Sequence, residues 1–345
     1  MMKTAVAMSG GVDSSVAALL VKQEGYEAFG VTMRAFKDAP VRDEEDAAAV
    51  AAKLGFDHVT VDLCDEFRRT VMEYFVNSYI AGETPNPCVY CNKVIKFGAL
   101  FDSVREFGCE MIATGHYARI NKNDSSGRVL LERAVYGEKD QSYVLWQLSQ
   151  AQLAGAMFPL GVYTKQQVRE IAAENGFISS DRPDSQDICF VPDGCYREFI
   201  ENFTGKKFKP GEFVGTDGKI WGTHKGLIGY TIGQRKGLGI SAPAPLFVIR
   251  KSIEENRVYL GSHDELFSRR VDAKDINLIA VERIDGSMRV TAKTRYSQKE
   301  ASATVFQTGD STLTVEFDEP QRAVTPGQSL VLYSGDTVVG GGIIC

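Results

Sequence analysis

The chain has 345 residues, of which 43% are hydrophobic and 24% are charged, and its formal net charge is −6. This composition is that of a globular protein long enough for two or three cores, and it excludes the disordered and fibrous classes. No apolar run approaches the roughly 20 residues of a membrane span, and Met1 to Ala7 is far too short for a signal peptide. We therefore expect a cytoplasmic protein.

The charges are unevenly distributed along the chain. Residues 38–75 carry ten acidic and four basic side chains, whereas residues 201–240 carry seven basic and three acidic ones. Because the second stretch is locally basic, the negative total does not exclude an anionic partner such as RNA.

The first third of the chain alternates short apolar runs with segments of helical periodicity. Strands are predicted at 3–8, 27–33, 58–62 and 110–114, and helices at 14–24, 44–54, 65–80 and 93–107. This alternation indicates an α/β domain with a Rossmann-like parallel sheet that is covered on both faces. Ligands of such sheets bind beyond the carboxyl ends of the strands, so we expect a site near Met8, Met33 and Thr114.

The rest of the chain changes character after about residue 195. A last helix is predicted at 164–175, because Thr164 and Gln167 form a capping box, and residues 121–127 are typical of a hairpin tip. Beyond Cys195, glycine and lysine become frequent. From Lys274 onward short alternating runs at 288–294, 301–307, 312–317 and 329–332 predict strands. Two small β-rich modules are the simplest interpretation.

A glycine-rich turn, Ser9-Gly10-Gly11-Val12-Asp13-Ser14-Ser15, follows the first strand and opens the first helix. Glycines allow backbone amides to approach an oxyanion, and a helix N-terminus adds positive potential, so this turn predicts a phosphate site with serine hydroxyls as further donors. The lysine of a Walker loop and the spacing of a dinucleotide loop are both missing. SGGxDS instead resembles the PP-loop of the N-type ATP pyrophosphatases. That resemblance implies that Asp13 helps to hold Mg²⁺ and pyrophosphate.

Seven cysteines are an odd number in a long chain, and they do not indicate a secreted disulfide framework. Two of them, Cys88 and Cys91, lie between a proline-containing loop and a predicted helix. A helix N-terminus and the neighbouring Lys93 and Lys96 would favour a Cys91 thiolate, the form required of a nucleophile or a metal ligand. Cys189 lies far away in the sequence, where it could equally be a small buried apolar residue.

Ordered motifs run through almost the whole chain: AMSGGVDSS, TPNPCVYCNKVIKF, ATGHYAR, KDQSYVLW, DSQDICF, GYTIGQRKGLGI, KTRYSQ, FDEPQRAVTPGQS and GGGII. Together they resemble the bacterial tRNA-specific 2-thiouridylase (MnmA) family. The resemblance implies a PP-loop catalytic domain at 1–195, a central β-rich domain at 196–268 and a C-terminal β-barrel at 269–345. It also implies that these domains grip the anticodon arm of tRNAs for Glu, Gln and Lys, with wobble uridine 34 as the substrate and ATP as the activating cofactor.

Individual site residues follow from the same resemblance. Cys91 would be the nucleophile, Cys189 would carry the persulfide, and a Cys91 to Cys189 disulfide could form when the persulfide is consumed. The ATP site would comprise Ala7, Met8, Ser9, Gly10, Gly11, Val12, Asp13, Ser14, Met33 and Gly115. Asn86, Pro87 and Cys88 would face the base. The positions expected to contact tRNA are His116, Lys139, Asp140, Gln141, Arg295, Tyr296 and Gln328.

Cys88 departs from the family pattern, because many members carry Asp at this position. A thiol is a weak hydrogen-bonding group, so an acid-base role near the base is doubtful here. A third thiolate also allows a second mechanism, in which Cys88, Cys91 and Cys189 hold an iron-sulfur cluster with one open iron. Persulfide and cluster both remain open. Either requires a sulfur donor such as a cysteine desulfurase or a sulfur relay protein.

Two other functions are compatible with parts of the sequence. A PP-loop ligase or amidotransferase acting on a small substrate would share the glycine-rich turn but would not need paired cysteines. A non-catalytic RNA-binding sulfur carrier would need the cysteines but no ATP turnover. Release of AMP with and without tRNA distinguishes these classes from a tRNA thiolase.

Overall fold

A computed structural model describes residues 2–37, 41–177, 188–191 and 194–345. Its strands are β1 Lys3–Ala7, β2 Glu27–Arg34, β3 His58–Asp62, β4 Met111–Ala113, β5 Ala118–Lys122, β6 Val129–Arg133, β7 Ala156–Met157, β8 Gly211–Gly215, β9 Ile220–His224, β10 Phe247–Ser252, β11 Arg257–Gly261, β12 Phe267–Leu278, β13 Ser287–Lys293, β14 Ala301–Gly309, β15 Thr312–Arg322, β16 Ser329–Ser334 and β17 Thr337–Ile344.

The α-helices of the described residues are α1 Val12–Gln23, α2 Val41–Leu54, α3 Cys64–Phe67, α4 Glu73–Ile80, α5 Pro87–Cys91, α6 Leu100–Arg105, α7 Gln150–Ala154, α8 Lys165–Glu174 and α9 Tyr196–Thr204. Two π-helical segments, Arg68–Met72 and Asn92–Ala99, join α3 to α4 and α5 to α6. None of these helices combines the length and the apolar sequence needed to cross a bilayer.

The N-terminal sheet has five parallel strands in the order β3-β2-β1-β4-β7. The chain moves outward from β1 in one direction through β2 and β3, then returns to the other side of β1 at β4. Such a reversal separates the loops that follow two neighbouring strands and leaves a crevice at their carboxyl ends. The crevice between β1 and β4 is therefore where the fold provides a ligand site.

Helices cover both faces of this sheet. On β1, Ala5 packs toward one core with Phe97, Leu100 and Phe101, while Val6 packs toward the other with α1 and α8. Because successive strand residues point to opposite faces, a strand buried on both sides must be apolar throughout. This explains why the sequence of β1 shows no alternation of polar and apolar residues.

Two β-sheets form the rest of the molecule. The central sheet has the order β10-β11-β8-β9, with a core around Phe213, Val248 and Val258. The C-terminal strands β12, β15, β14, β13, β16 and β17 form a barrel, which the pairing of β12 with β17 closes. The predicted fold class, a Rossmann-like domain followed by β-rich and barrel units, is confirmed.

Several local predictions differ from the observed elements. The hairpin of β5 and β6 does enclose residues 123–128, but it extends the barrel sheet through the pairing of Thr337 with Glu132. The single helix predicted at 93–107 is instead a π-helical segment followed by α6, because Gly98 adopts φ −108° and ψ −107°. The capping box at Thr164 is present as predicted.

Candidate active site

The glycine-rich turn after β1 is closed by its own hydrogen bonds. Ser14 Oγ accepts the Ser9 N–H at 3.1 Å and donates to the Gly11 carbonyl at 3.0 Å, and Ser15 Oγ donates to the same carbonyl at 2.9 Å. The hydroxyls of Ser14 and Ser15 were expected to serve as phosphate donors, but in this structure they shape the turn instead. The amides of the first turn of α1 have no intrahelical acceptor and remain the natural donors to an anion.

Two glycines allow close approach at the turn. Gly10 has φ +69°, and a Cβ there would lie 2.6 Å from the Asp43 carbonyl oxygen, so any larger residue is excluded. A Cβ on Gly115, just after β4, would lie 2.9 Å from the Asp13 carbonyl carbon and 3.0 Å from Ser14 N. The loops that follow β1 and β4 therefore touch each other across the crevice.

The Asp13 carboxylate is held by two side chains that sequence reasoning missed. Lys165, the first residue of α8, donates to both carboxylate oxygens at 2.8 and 2.9 Å. Tyr117 donates its hydroxyl to Asp13 Oδ1 at 2.8 Å. The lysine absent from the glycine-rich turn is thus supplied from a distant helix. The capping box predicted that helix, and ATGHYAR contains Tyr117, but neither pattern indicated contact with Asp13.

The loop Thr114–Tyr117 also contacts the π-helical segment Asn92–Ala99, which follows Cys91. Thr114 Oγ1 lies 2.7 Å from His116 Nδ1, and the buried His116 ring packs against Phe97 with centroids 6.2 Å apart. Burial lowers the pKa of His116 well below its usual value, and the nearby Lys96 acts in the same direction. A neutral His116 therefore lies between the nucleotide turn and the helix that follows Cys91.

The helix predicted to start at residue 93 starts earlier, because the cysteine helix α5 runs from Pro87 to Cys91, and Cys91 therefore lies at the end of a helix rather than before its start. Asn86 is the N-cap, its Oδ1 accepting the Cys88 N–H at 3.2 Å, and Pro87 occupies the first turn. All seven cysteines are free thiols in this structure. Of the two on this helix, Cys88 is exposed and Cys91 is half-buried.

Cys189 approaches the same helix from a distant part of the chain. The next residue, Phe190, is buried, and its ring packs edge-on against Phe67 and Phe75 at centroid distances of 5.6 and 5.3 Å. Ile188 and Cys91 pack against the same apolar cluster. The motif residues 184–187 that precede this segment lie outside the described residues. Phe190 thus anchors the segment. Cys189 is an exposed residue, but surrounding protein still desolvates its sulfur.

The three thiols influence one another electrostatically. Burial by surrounding protein raises the pKa of Cys91 to about 12 and that of Cys189 to about 11, and it also raises the pKa of Cys88. A Cys189 thiolate would raise the pKa of Cys91 further, whereas the Lys96 ammonium lowers all three. The expected thiolate at Cys91 is therefore wrong for the resting state, because desolvation outweighs the lysine.

Two metal sites are implied, Mg²⁺ at Asp13 and, in the second mechanism, a cluster at the cysteines, and the residues present fit them to different degrees. Among the described residues, no three His, Cys, Asp or Glu side chains come together to hold a metal ion, so the three thiols do not form a ligand set for a cluster as arranged here. Asp13 offers carboxylate oxygens of the kind that Mg²⁺ prefers, next to the turn that would hold phosphates. Both oxygens already accept from Lys165, so a metal would share or displace that contact.

Three family models match the chain in succession. They are described as the tRNA methyl transferase HUP domain at residues 2–193, the tRNA methyl transferase PRC-barrel domain at 197–262 and the aminomethyltransferase beta-barrel domain at 268–344. A tRNA-specific 2-thiouridylase MnmA of Clostridioides difficile is 46% identical over 352 residues, covering 99% of this chain and 98% of the relative. The chain belongs to the tRNA-specific 2-thiouridylase family.

A second relative is equally similar in sequence, whereas the similarity to a solved structure is weak. The MnmA relative of Acetivibrio thermocellus is also 46% identical, over 357 residues that cover 99% of each protein. A solved complex of a 4-thiouridine synthetase with RNA and bound ATP aligns with 59% of this chain and 50% of its own, at 16% identity and a TM-score of 0.36. A likeness of that size transfers no residue role to the present 2-thiouridylase family member.

The family positions expected to line ATP surround the crevice. Ala7 ends β1, Met8 is buried behind the turn, and the half-buried Met33 lies on β2. With Gly10 and Gly115 they occupy neighbouring strand ends of one sheet. The structure thus brings these members of the predicted set together.

The positions expected to contact tRNA are more varied. Lys139 and Tyr296 are exposed, and the Tyr296 hydroxyl lies 3.4 Å from the Asp140 carbonyl, which links the barrel to the 139–141 segment. The Asp140 carboxylate accepts from Ser142, and Gln141 Oε1 accepts the Tyr117 N–H at 3.0 Å. Asp140 and Gln141 therefore have structural roles in this 2-thiouridylase family member.

Arg295, Gln328 and His116 are also engaged within the protein. Arg295 donates to the Ile232 and Ala323 carbonyls at 3.0 Å each, and burial lowers its pKa. Gln328 donates its side-chain amide to the Thr84 carbonyl at 2.7 Å. His116 is only 8% exposed. A direct RNA contact by any of the three requires these arrangements to change.

Proposed function

We propose that this protein is an ATP-dependent tRNA-uridine 2-sulfurtransferase, which adenylates the C2 oxygen of wobble uridine 34 and replaces that oxygen with sulfur. One observation carries the proposal beyond family membership. A single loop, Thr114–Tyr117, contacts both the nucleotide turn at Asp13 and the segment that follows Cys91. This shared loop supports a phosphate site and a thiol site that lie near each other.

Activation is needed because the ring nitrogens donate electrons into the uracil C2 carbonyl and make it a poor electrophile. In the proposed step the C2 oxygen attacks the α-phosphorus of ATP, a new O–P bond forms, the bond between the α- and β-phosphates breaks, and pyrophosphate leaves. Amides at the start of α1 and the Lys165 ammonium would stabilise the charge that develops. Bound Mg²⁺, held by Asp13, would neutralise part of the pyrophosphate charge.

The uridine must leave its stack before C2 can reach either centre. Asn86, Pro87 and the exposed Cys88 form the start of α5, where they would face the base. Lys139 and Tyr296 are exposed, Tyr296 lies beside the Asp140 carbonyl, and both side chains would be available to an anticodon arm. These contacts support a bound tRNA that presents an extruded base.

Sulfur transfer uses Cys189 as the carrier. The terminal sulfur of a Cys189 persulfide attacks C2, and AMP leaves with the former C2 oxygen. Cys91 Sγ then attacks Cys189 Sγ, so that the persulfide S–S bond breaks, its electron pair passes to the thiocarbonyl, and a Cys91 to Cys189 disulfide remains. Alternatively, Cys91 first releases sulfide from the persulfide. Both routes require a thiol reductant to restore the enzyme.

The cluster mechanism stays as a second hypothesis for the same three cysteines. Its support is that Cys88 and Cys189 both raise the pKa of Cys91 and that Cys88 raises the pKa of Cys189. Anaerobic purification followed by iron analysis tests it. Full thiolation by a colourless, iron-free protein would eliminate the cluster.

The sulfur donor would be a cysteine desulfurase or a relay protein that carries a persulfide. Exposure of residue Cys189 supports transfer from such a partner, because a bulky donor must reach this part of the chain. We place this exchange in the cytoplasm, where tRNA and ATP are available.

AMP release, measured with and without tRNA, tests the proposed function when combined with mass spectrometry of tRNA nucleosides. We expect tRNA-dependent AMP and one 2-thiouridine per AMP. Replacement of Asp13 by alanine removes the carboxylate beside the phosphates and should abolish both products. AMP formed without tRNA would instead indicate a small-substrate ligase, and no AMP under either condition would indicate a non-catalytic RNA binder.

A further inference from the structure

The loop that precedes the cysteine helix is held by the C-terminal barrel. We call residues 82–86 the base loop, because it leads into the positions expected to face the uridine. Thr84 N–H donates to the Pro326 carbonyl at 2.8 Å, and the Thr84 carbonyl accepts from Gln328 Nε2 at 2.7 Å. Both backbone groups of one loop residue are therefore satisfied by the turn that joins β15 to β16.

The same turn approaches the base loop too closely for a side chain. Gly327 has φ +88°, and a Cβ there would lie 2.8 Å from Glu83 Cβ and 2.9 Å from Thr84 N. Contacts under 3.0 Å between such atoms force one side to move, and here the obstacle includes backbone. Glycine at 327 is thus a condition for the observed docking.

Two further contacts fix the loop from other directions. Lys274 on β12 forms an ion pair with Glu83 at 3.0 Å. Ile253, in the turn between β10 and β11, lies where a Cβ on Gly82 would come within 3.1 Å of it. The central domain and the barrel therefore both contact a five-residue stretch of the catalytic domain.

The sequence of the loop makes it a stiff connection. Pro85 and Pro87 fix their own φ angles and restrict the residues that precede them, so Thr84 and Asn86 have little conformational freedom. A displacement at Thr84 is consequently passed on to the start of α5 rather than absorbed. Cys88 is the first thiol it would reach, with its N–H bonded to Asn86.

We propose that the barrel turn 325–328 is a positioning element for the base pocket: it sets where Asn86, Pro87 and Cys88 stand relative to the nucleotide turn. The inference rests on the proposed function for its catalytic consequence. A tRNA that engages the barrel would stabilise the turn and, through Thr84, the pocket that receives its own uridine. Gln328 acts in this arrangement as a positioning residue through its bond to Thr84.

The test replaces Gly327 by alanine and uses Gly335→Ala as its matched control. Gly335 also has positive φ, +58°, on the same barrel, but nothing lies within 4 Å of a Cβ placed there. The full-length proteins are treated with iodoacetamide without substrate, and Cys88 alkylation is followed by peptide mass spectrometry. Gly327→Ala should change the Cys88 alkylation rate by about threefold or more, because misplacement of a reacting group by a fraction of an ångström alters its environment. Gly335→Ala should react as the wild type does.

Thiolation kinetics supply the second measurement. Gly327→Ala should lower 2-thiouridine formation by roughly 10- to 100-fold, while the dissociation constant for ATP stays unchanged, because the nucleotide turn is not part of the contact. Substitutions that swap the charges of Lys274 and Glu83 provide a rescue test. Lys274→Glu and Glu83→Lys should each lower the rate about two- to fivefold, and the double variant should recover it.

Unchanged Cys88 alkylation and normal thiolation by Gly327→Ala would overturn the inference. A failure to fold would be seen in the melting curve, and the charge exchange would then decide alone, with rescue supporting the inference and no rescue contradicting it. The alkylation contrast requires no substrate. If it holds while the wild type makes no 2-thiouridine, the positioning role stands and the proposed function fails.

Discussion

The nucleotide turn and the thiol site differ in how completely they are formed before any substrate binds. In the turn, the hydroxyls of Ser14 and Ser15 are hydrogen-bonded, Asp13 is paired with Lys165, and the next loop abuts the backbone. Cys88 and Cys189, by contrast, are exposed residues with no covalent or metal partner among the described residues, and they come from segments that are distant in sequence. A phosphate site gains from fixed dipoles, whereas a sulfur carrier must be recharged from outside in each cycle.

The two regions also differ in the balance of charge around their reactive groups. Lys165 neutralises Asp13 at contact distance, so charge in the turn is already balanced. In the thiol site burial outweighs the attraction of Lys96, and the pKa values of Cys91 and Cys189 stand at about 12 and 11. The thiols are therefore poor nucleophiles at rest. This suits a site in which sulfur should move only after the uridine has been activated.

The largest expected effect is a complete loss of sulfur transfer while AMP release is retained. Cys91→Ser and Cys189→Ser should each abolish 2-thiouridine formation, because serine can neither carry nor release a persulfide. Both variants should still release AMP when tRNA is present, since the nucleotide turn is untouched. Cys195→Ser, which changes an exposed thiol six residues from Cys189, is the control and should thiolate normally. Normal 2-thiouridine in the Cys189→Ser enzyme would contradict the persulfide and cluster mechanisms together.

The next effect should appear at the nucleotide turn alone. Lys165→Met removes the ammonium that lies 2.8 Å from Asp13 Oδ1, and it should lower kcat/KM for ATP by roughly 10- to 100-fold. Steady-state AMP release in the presence of tRNA measures it.

Lys53→Met is a suitable comparison for Lys165→Met, because Lys53 bonds the Gly176 carbonyl away from the crevice. It should keep wild-type kinetics. Thiolation per AMP should also stay constant in the Lys165 variant. A fall in that ratio would mean that Lys165 serves the sulfur step as well.

The nucleotide turn could be predicted from the sequence, whereas the residues that contact it from other segments could not. A phosphate turn is local, because its glycines, the strand before it and the start of the helix after it are contained in about a dozen residues. Alternation of strands and helices likewise predicted a parallel sheet, but not the order of its strands. Lys165 and Tyr117 reach Asp13 only through tertiary folding, so no spacing could reveal them. The barrel pairing of β6 with β17 is equally non-local.

The thiol site shows a different limit. Proximity of Lys96 and a helix start predicted a lowered pKa at Cys91, yet the sign is reversed by burial among side chains from other segments. Burial of a single residue depends on packing across the whole cluster, which a local pattern does not report. Likewise the resemblance gave Gln328 as a position that contacts tRNA, and no local pattern indicated its bond to Thr84.

Alkylation at different pH values sharpens the contrast in nucleophilicity. Since the pKa of Cys189 is about 11, its thiol is neutral at pH 8, and the reactive thiolate increases as pH rises. The iodoacetamide rate should increase about tenfold per pH unit from pH 7 to pH 10, whereas a free cysteine with a pKa of about 8.5 levels off above pH 9. Lys96→Met removes a positive charge that lowers the pKa of Cys189 and should slow the reaction further. A plateau below pH 9 would show that the thiol is not desolvated.

The smallest expected effect tests the link between the two regions. Tyr117→Phe removes only the hydroxyl that donates to Asp13 Oδ1 at 2.8 Å and leaves the buried ring in place. A hydrogen bond to a charged acceptor contributes about 1.5 kcal/mol or somewhat more, which corresponds to a change of roughly tenfold if the bond is kept throughout catalysis. Because Lys165 still holds both oxygens of Asp13, we expect only a two- to fourfold loss of AMP formation, near 0.4 to 0.8 kcal/mol by the same scale.

The double variant decides whether Tyr117 and Lys165 act on Asp13 as one unit. Residues that share a partner are not additive, so Tyr117→Phe in the Lys165→Met background should cost more than it does alone, since Asp13 then has no remaining partner among these two. The ratio of 2-thiouridine to AMP is measured in all four proteins. A constant ratio places Tyr117 with the nucleotide turn. A ratio that falls in Tyr117→Phe alone would instead place it with the thiols, because the loop Thr114–Tyr117 contacts both.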